Sequence, residues 1–122
     1  MKFLVTGGAG FIGSNIVEGL LKKGFQVRVI DNFSTGKKEN LKEFINDIEI
    51  VDADIRYYRN VYKAMDGMDI VLHQAALPSV PRSISDPMAS NESNITGTLN
   101  VLEAAKEMKV KKVVVASSSS VY

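Results

Sequence analysis

Three glycines and one carboxylate near the N-terminus carry the clearest chemical signal in the sequence. Gly7, Gly10 and Gly13 recur at every third position, directly after the apolar segment 3–6 and at the start of a segment with helical periodicity. Such a turn lets a phosphate approach the backbone, and the free amides of the helix N-terminus then face its negative charge. Asp31 ends the next apolar segment, where a carboxylate can accept hydrogen bonds from ribose hydroxyls and would repel a 2′-phosphate. The spacing therefore predicts a dinucleotide site that takes NAD in preference to NADP.

Basic side chains close to Asp31 leave a second interpretation of the cofactor choice. Arg28 precedes Asp31 on the same apolar segment, and Lys37 and Lys38 follow it. A cation beside the ribose would bind a 2′-phosphate and weaken the preference for NAD. The alternative is that these side chains form a solvated face with no part in binding.

The composition is that of an ordinary globular domain. The 122 residues are 45% hydrophobic and 24% charged, with 15 basic and 14 acidic residues and a formal net charge of +1. No basic stripe is present to neutralise phosphates, so a nucleic-acid partner is not expected. The absence of cysteine and the single histidine argue against thiolate or histidine metal sites. No apolar stretch is long enough for a signal peptide or a membrane span, so we expect a cytoplasmic protein without a membrane partner.

Short segments rich in β-branched residues alternate with longer segments of helical periodicity. The predicted strands are residues 3–6, 26–31, 49–52, 69–73 and 112–117. The predicted helices are residues 11–23, 38–45, 61–66 and about 90–108. Strands joined through helices form parallel sheets. We therefore expect one α/β domain over residues 1–122, a Rossmann-type doubly wound parallel sheet with strand order 3-2-1-4-5, truncated after its fifth strand.

Six motifs follow one another along the chain: the glycine turn 6–14, the segment 31–36, Asp54-Ile55-Arg56, the segment 73–76, Asn94 within 94–98, and the serine-rich end 117–122. In type and order they resemble the motifs of the extended branch of the short-chain dehydrogenase/reductase family, whose members include NAD-dependent epimerases and dehydratases. Within this branch the chain is similar to the 4-epimerases of UDP-glucose and UDP-N-acetylglucosamine, and Ser79 lies in a segment similar to their substrate-side loop.

The resemblance implies a set of site residues and a reaction. The implied NAD-binding residues are Gly7, Gly10, Phe11, Ile12, Gly13, Asp31, Asn32, Ser34, Thr35, Gly36, Asp54, Ile55, Gln74, Ala75, Ala76 and Asn94. The implied catalytic residue is Ser118, and the implied substrate-binding residues are Ser79, Ser118 and Ser119. The implied reaction inverts C4 of a UDP-hexose through transient oxidation to a 4-keto intermediate, with a tyrosine as the base. His73, the other candidate base near neutral pH, has a structural role in this family.

The family's Tyr-xxx-Lys motif does not occur within the 122 residues, since Tyr57, Tyr58 and Tyr62 are each followed four positions later by a residue other than lysine. The family's substrate-binding domain is missing as well. We therefore expect this chain to bind NAD without turning over a substrate by itself. Two alternatives remain: a stand-alone NAD-binding module, or part of a nucleotide-sugar dehydratase or decarboxylase. Ser119 and Ser120 stand where the dehydratases carry Asp-Glu, which argues against a dehydratase.

The resemblance also implies a homodimer. In this family the helix that contains Ile95, Leu99 and Leu102 contributes to a dimer interface. The fifth strand carries Val113 to Val115, and an apolar edge strand is a template for pairing with another chain. Self-association through either surface is therefore expected.

Overall fold

The computed structural model describes residues 1–33, 36–74 and 95–115. These residues form a five-stranded parallel sheet with helices in the connections. The strands are β1 (Lys2–Thr6), β2 (Gln26–Asp31), β3 (Ile48–Asp52), β4 (Ile70–His73) and β5 (Lys112–Val115). The helices are α1 (Phe11–Lys22), a 3-10 helix (Lys38–Phe44), α2 (Tyr58–Met65) and α3 (Gly97–Glu107).

The strand order is β3-β2-β1-β4-β5, which confirms the predicted Rossmann-type topology. The order reverses at β1, because the chain moves outward to β2 and β3 and then returns to place β4 on the other side of β1. In sheets of this kind ligands bind beyond the carboxyl ends of the strands at the reversal point. The register aligns Thr6 with Ile30 and His73, and Asp31 with Asp52. The ends of four strands thus lie together along one edge of the sheet.

Side chains that alternate along each strand build two apolar layers, one on each face of the sheet. On one face Leu4, Ile30 and Val71 pack against α2 and α3, and on the other face Val5 and Val29 pack against α1 and the 3-10 helix. All five side chains are fully buried. A sheet covered on both faces explains why its central strands read as continuous apolar runs.

The predicted helix bounds differ from the structure in three places. The segment predicted as an α-helix over 38–45 is a 3-10 helix, tied at its start to the loop after β1 through hydrogen bonds from Lys37 N and Asn40 Nδ2 to Ala9 O. Helix α2 begins at Tyr58 and not at Val61, because the turn that starts it is set by Asp54 and not by the apolar periodicity. Helix α3 begins at Gly97, whereas the predicted helix begins at about residue 90, and residues 90–94 of that range lie outside the described residues. The other described elements match the prediction to within about two residues at each end, a normal margin for helix and strand ends.

Several apolar side chains at one side of the domain are exposed. Ile95, Leu99 and Leu102 on and beside α3 are 58%, 60% and 45% exposed, and Val114 and Val115 on β5 are 42% and 47% exposed. These are the surfaces for which self-association is predicted, and that expectation stays a prediction. Among the described helices, none has the length and apolar character that crossing a bilayer requires.

Candidate functional site

The loop after β1 makes the tightest backbone turn at the carboxyl edge of the sheet. Gly7 has a φ of 71°, in the left-handed region that favours glycine. A Cβ on Gly13 would lie 2.2 Å from Gly7 O, so the start of α1 packs against the turn with no room for a side chain. Gly10 N donates to Gly7 O at 3.1 Å, which closes the turn. The glycine spacing seen in the sequence therefore has a geometric cause in the structure.

Helix α1 presents its N-terminus at this turn. Gly10 is the N-cap residue and has no side chain to accept from the first amides, and Ser14 N donates to Gly10 O at 2.8 Å. Because this is the first hydrogen bond of the helix, the backbone amides of residues 11–13 have no acceptor within the helix. Phe11 and Ile12 have side chains that are 79% and 63% exposed, which leaves this end of the helix open. Such an N-terminus favours a phosphate group.

Asp31 lies at the end of β2 with its side chain turned toward the glycine turn. Asp31 Oδ2 accepts from Ala9 N at 3.0 Å, and Oδ1 accepts from Phe33 N at 2.7 Å. Phe33 has a φ of 60°, so the chain turns sharply directly after this hydrogen bond. Asp31 is only 9% exposed. A carboxylate offers about four lone-pair sites, so two amide bonds leave capacity for ribose hydroxyls. The sequence did not indicate that Asp31 also holds the glycine turn in place.

Arg28 is directed away from the ribose side of Asp31. Its Nε and Nη2 each lie 3.1 Å from Glu49 Oε2, and its Nη1 donates at 2.8 Å to the carbonyls of Ala64 and Asp66 at the end of α2. These contacts give Arg28 a structural role and remove it as a candidate partner for a 2′-phosphate. Lys38 Nζ lies 5.1 Å from the ring centroid of Phe33, so a cation does stay close to the loop after β2.

The loop after β3 carries a second carboxylate at the same edge. Asp54 Oδ1 accepts from Arg56 N at 2.9 Å, and Oδ2 accepts from Arg56 Nη2 at 2.8 Å and from Asn32 Nδ2 at 3.3 Å. Burial raises the pKa of Asp54, but the hydrogen bonds and charge of Arg56, with the Asn32 bond, lower it more, so the pKa lies below its ordinary value. Asp54 is therefore ionised at neutral pH. The loops after β2 and β3 are joined by the Asn32 bond.

Ala9 and Asn40 organise the site, although sequence reasoning did not select them. Ala9 donates to Asp31 and accepts from Lys37 N at 3.1 Å and from Asn40 Nδ2 at 2.7 Å. A Cβ on Gly36 would lie 2.8 Å from the carbonyl carbon of Ala9, so the two loops can pack this closely only with glycine at that position. Neither Ala9 in the glycine turn nor Asn40 in an amphipathic segment has a sequence signal that indicates this role.

His73 at the end of β4 is buried and bonded on both ring nitrogens. Nδ1 lies 2.6 Å from Thr6 Oγ1, and Nε2 lies 3.0 Å from Thr98 Oγ1. Thr6 Oγ1 also accepts from Gln74 N at 2.9 Å. Burial lowers the pKa of His73 below its ordinary value of 6.5. The imidazole therefore links β1, β4 and α3 as a neutral group, an arrangement that suits a structural role better than that of an exposed base.

Acidification below pH 6.5 is expected to destabilise the fold through His73. The folded protein binds a proton at His73 less readily than the unfolded chain does. The contribution of neutral His73 to the free energy of unfolding is therefore fully present above pH 6.5, and it falls as the pH drops toward the lower pKa of the folded state. The slope can reach about 1.4 kcal/mol per pH unit for one proton. Urea unfolding at pH 7.5 and 5.5 measures it, with His73→Gln as the non-titrating control. An unchanged pH dependence in that variant would refute the assignment.

Several predicted site residues lie outside the described residues. They are Ser34, Thr35, Ala75, Ala76, Ser79, Asn94, Ser118 and Ser119. The structure brings together the remaining ones, which are Gly7, Gly10, Phe11, Ile12, Gly13, Asp31, Asn32, Gly36, Asp54, Ile55 and Gln74, at the carboxyl ends of β1 to β4.

Comparison with known proteins points to one family. A family model described as the NAD dependent epimerase/dehydratase family matches residues 3–122. A putative UDP-glucose 4-epimerase of Methanocaldococcus jannaschii is 40% identical over 118 residues, which are 94% of this chain and 37% of that protein. A UDP-N-acetyl-alpha-D-glucosaminuronate decarboxylase of Bacillus cytotoxicus is also 40% identical, over 99% of this chain and 37% of that protein.

A solved structure of a UDP-glucose 4-epimerase is also similar to this chain over part of its length. The complex of Thermus thermophilus UDP-glucose 4-epimerase with NAD is 44% identical, with a TM-score of 0.86, and the match covers 93% of this chain and 36% of that one. The chain thus spans less than two fifths of the length of each of these three proteins.

Proposed function

This chain belongs to the NAD-dependent epimerase/dehydratase family, and from that membership we propose that it forms the NAD-binding part of a nucleotide-sugar 4-epimerase. The observation that carries the proposal is the joint geometry of the glycine turn and Asp31. The N-terminus of α1 has no capping side chain, and the Asp31 carboxylate is bonded to Ala9 N in the turn that precedes it. This arrangement is suited to a dinucleotide without a 2′-phosphate.

Each part of the carboxyl edge has a proposed role in binding. The amides of residues 11–13 receive the pyrophosphate at a turn held open by Gly7, Gly10 and Gly13. Asp31, with Asn32 and Gly36 beside it, binds the adenosine ribose. Asp54 and Ile55 bind the adenine, and Gln74 lines the path from β4 toward the nicotinamide. NAD, when bound, supplies a hydride acceptor whose hydride is returned in the same reaction.

The proposed roles of the remaining residues rest on the resemblance. Ser34, Thr35, Ala75, Ala76 and Asn94 complete the cofactor site. Ser118 shares the hydrogen bond to the sugar O4, and Ser79 and Ser119 contact the sugar. The reaction inverts C4 of a UDP-hexose through a 4-keto intermediate, and the substrate is a UDP-sugar. A cytoplasmic location and self-association remain predictions of the same kind.

A decarboxylase is the second candidate, because a glucosaminuronate decarboxylase is as similar to this chain as the putative epimerase is. Both relatives are 40% identical to this chain, so the NAD-binding part alone does not separate the two enzyme classes. Ser119 and Ser120 lack the acid/base pKa that water elimination needs, which favours either class over a dehydratase.

Incubation of the proposed full-length 4-epimerase, of which this chain would be the NAD-binding part, with UDP-glucose and UDP-N-acetylglucosamine is expected to produce the C4 epimer, detectable by NMR of the anomeric proton. UDP-glucuronate serves as the decarboxylase substrate, with release of carbon dioxide as its measure, and dTDP-glucose serves as the dehydratase substrate. A matched sample limited to residues 1–122 should bind NAD and form no product, because it holds no Tyr-xxx-Lys motif. Carbon dioxide release without epimer formation would refute the epimerase proposal in favour of the decarboxylase.

A further inference from the structure

The first turn of α3 lies against the loop that follows β3. Asn100 Nδ2 donates to Ile55 O at 2.8 Å and to Arg56 O at 2.9 Å. A side-chain amide has two N–H groups, so these two carbonyls account for both of them. One side chain of α3 thus binds two consecutive carbonyls that are 44 and 45 residues away in sequence.

Gly97, one turn earlier on α3, makes this approach possible. A Cβ at Gly97 would lie 2.5 Å from Ile55 Cδ1, so the backbone of α3 runs directly over the Ile55 side chain. Ile55 itself is 6% exposed and belongs to the core between the sheet and helices α2 and α3. Helix α3 therefore contacts the loop through both its backbone and the Asn100 side chain.

The opposite side of the same loop carries Asp54. Its carboxylate accepts from the Arg56 amide and guanidinium and from Asn32 Nδ2. Arg56 joins the two contacts, because its amide donates to Asp54 and its carbonyl accepts from Asn100. Any rotation of the backbone at residues 55–56 would therefore move the Asp54 carboxylate.

From these contacts we infer that Asn100 is a positioning residue for adenine recognition. By holding the carbonyls of Ile55 and Arg56, it keeps the Asp54 carboxylate where the exocyclic amino group of the base meets it. The inference rests on the proposed function, which assigns Asp54 and Ile55 to the adenine. It adds a residue on α3 that touches no part of the dinucleotide and acts only through the loop. Its effect is confined to the base, since the glycine turn and Asp31 are held by other contacts.

Binding of NAD compared with nicotinamide hypoxanthine dinucleotide tests this role. The hypoxanthine analogue carries a carbonyl where adenine carries its amino group, so it has no donor for Asp54 at that position. The wild-type protein is expected to bind NAD about tenfold more tightly than the analogue, as one hydrogen bond to a charged group implies. In Asn100→Ala, NAD affinity should fall about tenfold and analogue affinity should stay nearly unchanged, so that the preference disappears.

Two further variants and one readout complete the design. Asn46→Ala, at an exposed asparagine between the 3-10 helix and β3, is the matched control and should keep the wild-type preference. Asn100→Ser retains one shorter donor and should fall between wild type and Asn100→Ala, and it serves if the alanine variant does not fold. Hydrogen exchange of the Arg56 amide, measured without any dinucleotide, should be faster in both Asn100 variants, while the amides of β1 stay protected.

The outcomes separate the inference from the proposed function. A wild-type protein that does not bind NAD refutes both. A wild-type protein that prefers NAD, with the same preference in both Asn100 variants, overturns the inference alone. An equal loss of affinity for the two dinucleotides in Asn100→Ala would also overturn it, because that result indicates a general structural role.

Discussion

Replacement of Gly13 by alanine is expected to weaken NAD binding strongly and to destabilise the fold. The new Cβ would lie 2.2 Å from Gly7 O and 2.9 Å from Gly8 Cα, and both are backbone atoms that cannot move without opening the turn. Overpacking of this kind costs about 3 kcal/mol of folding free energy. A displacement of about 1 Å at the phosphate-binding amides is enough for a loss of roughly 100-fold in affinity. Thermal unfolding with and without NAD measures both effects, since a bound ligand raises the midpoint.

Gly19 in the same helix offers the matched control. It is exposed, and a Cβ there would meet no atom within 4 Å. Gly19→Ala should therefore stabilise the protein by about 0.5–1 kcal/mol, because alanine restricts the unfolded chain and favours the helix. NAD affinity should stay unchanged. If Gly13→Ala behaved like Gly19→Ala, the glycine turn would not be a phosphate site.

Replacement of Asp31 by alanine is expected to lower NAD affinity by about 10- to 100-fold, the equivalent of one or two hydrogen bonds to a charged group. NADP affinity should fall less, because loss of the carboxylate also removes its repulsion of the 2′-phosphate. It should not rise, since the substitution leaves the amides of Ala9 and Phe33 without their acceptor and loosens the turn. The ratio of the two affinities, measured by calorimetry, should shift toward NADP by about tenfold.

Asp52→Ala separates this effect from a general change in charge. Asp52 is the register partner of Asp31 on β3, at the same edge of the sheet, and its side chain is exposed. The variant loses the same charge at nearly the same place and should keep the wild-type ratio of NAD to NADP affinity. An equal shift in both variants would mean that the net charge of the edge, and not the Asp31 carboxylate, sets the preference.

The sheet could be predicted from the sequence because its signals are local. β-branched runs such as the one at Val113 define strands, and the glycine turn after β1 indicates where the strand order reverses. The helix bounds were less predictable, since apolar periodicity does not show that α2 begins at Tyr58, directly after a turn in which Asp54 accepts from Arg56 N. The 3-10 helix depends on a contact with Ala9, 28 or more positions earlier in the chain.

The sequence predicted that Asp31 and the glycine turn lie at the same edge of the sheet, but it did not predict the hydrogen bonds that join them. Asp31 was selected for its place at a strand end, yet its bonds to two backbone amides depend on how two loops meet in three dimensions. The pattern around Asn100 shows a helix, and nothing in that pattern places the carbonyls of residues 55 and 56 beneath it. Long-range hydrogen bonds of this kind leave no periodic signal in a sequence.

Calorimetric titration of the wild-type protein with NAD and with NADP tests the central claim most directly. With Asp31 held against the glycine turn and Arg28 engaged by Glu49, the edge offers a carboxylate to the ribose and keeps Arg28 away from a 2′-phosphate. We expect NAD to bind at least about tenfold more tightly than NADP, a difference of about 1.4 kcal/mol. Equal affinities for the two cofactors, or tighter binding of NADP, would contradict the assignment of this edge as an NAD site.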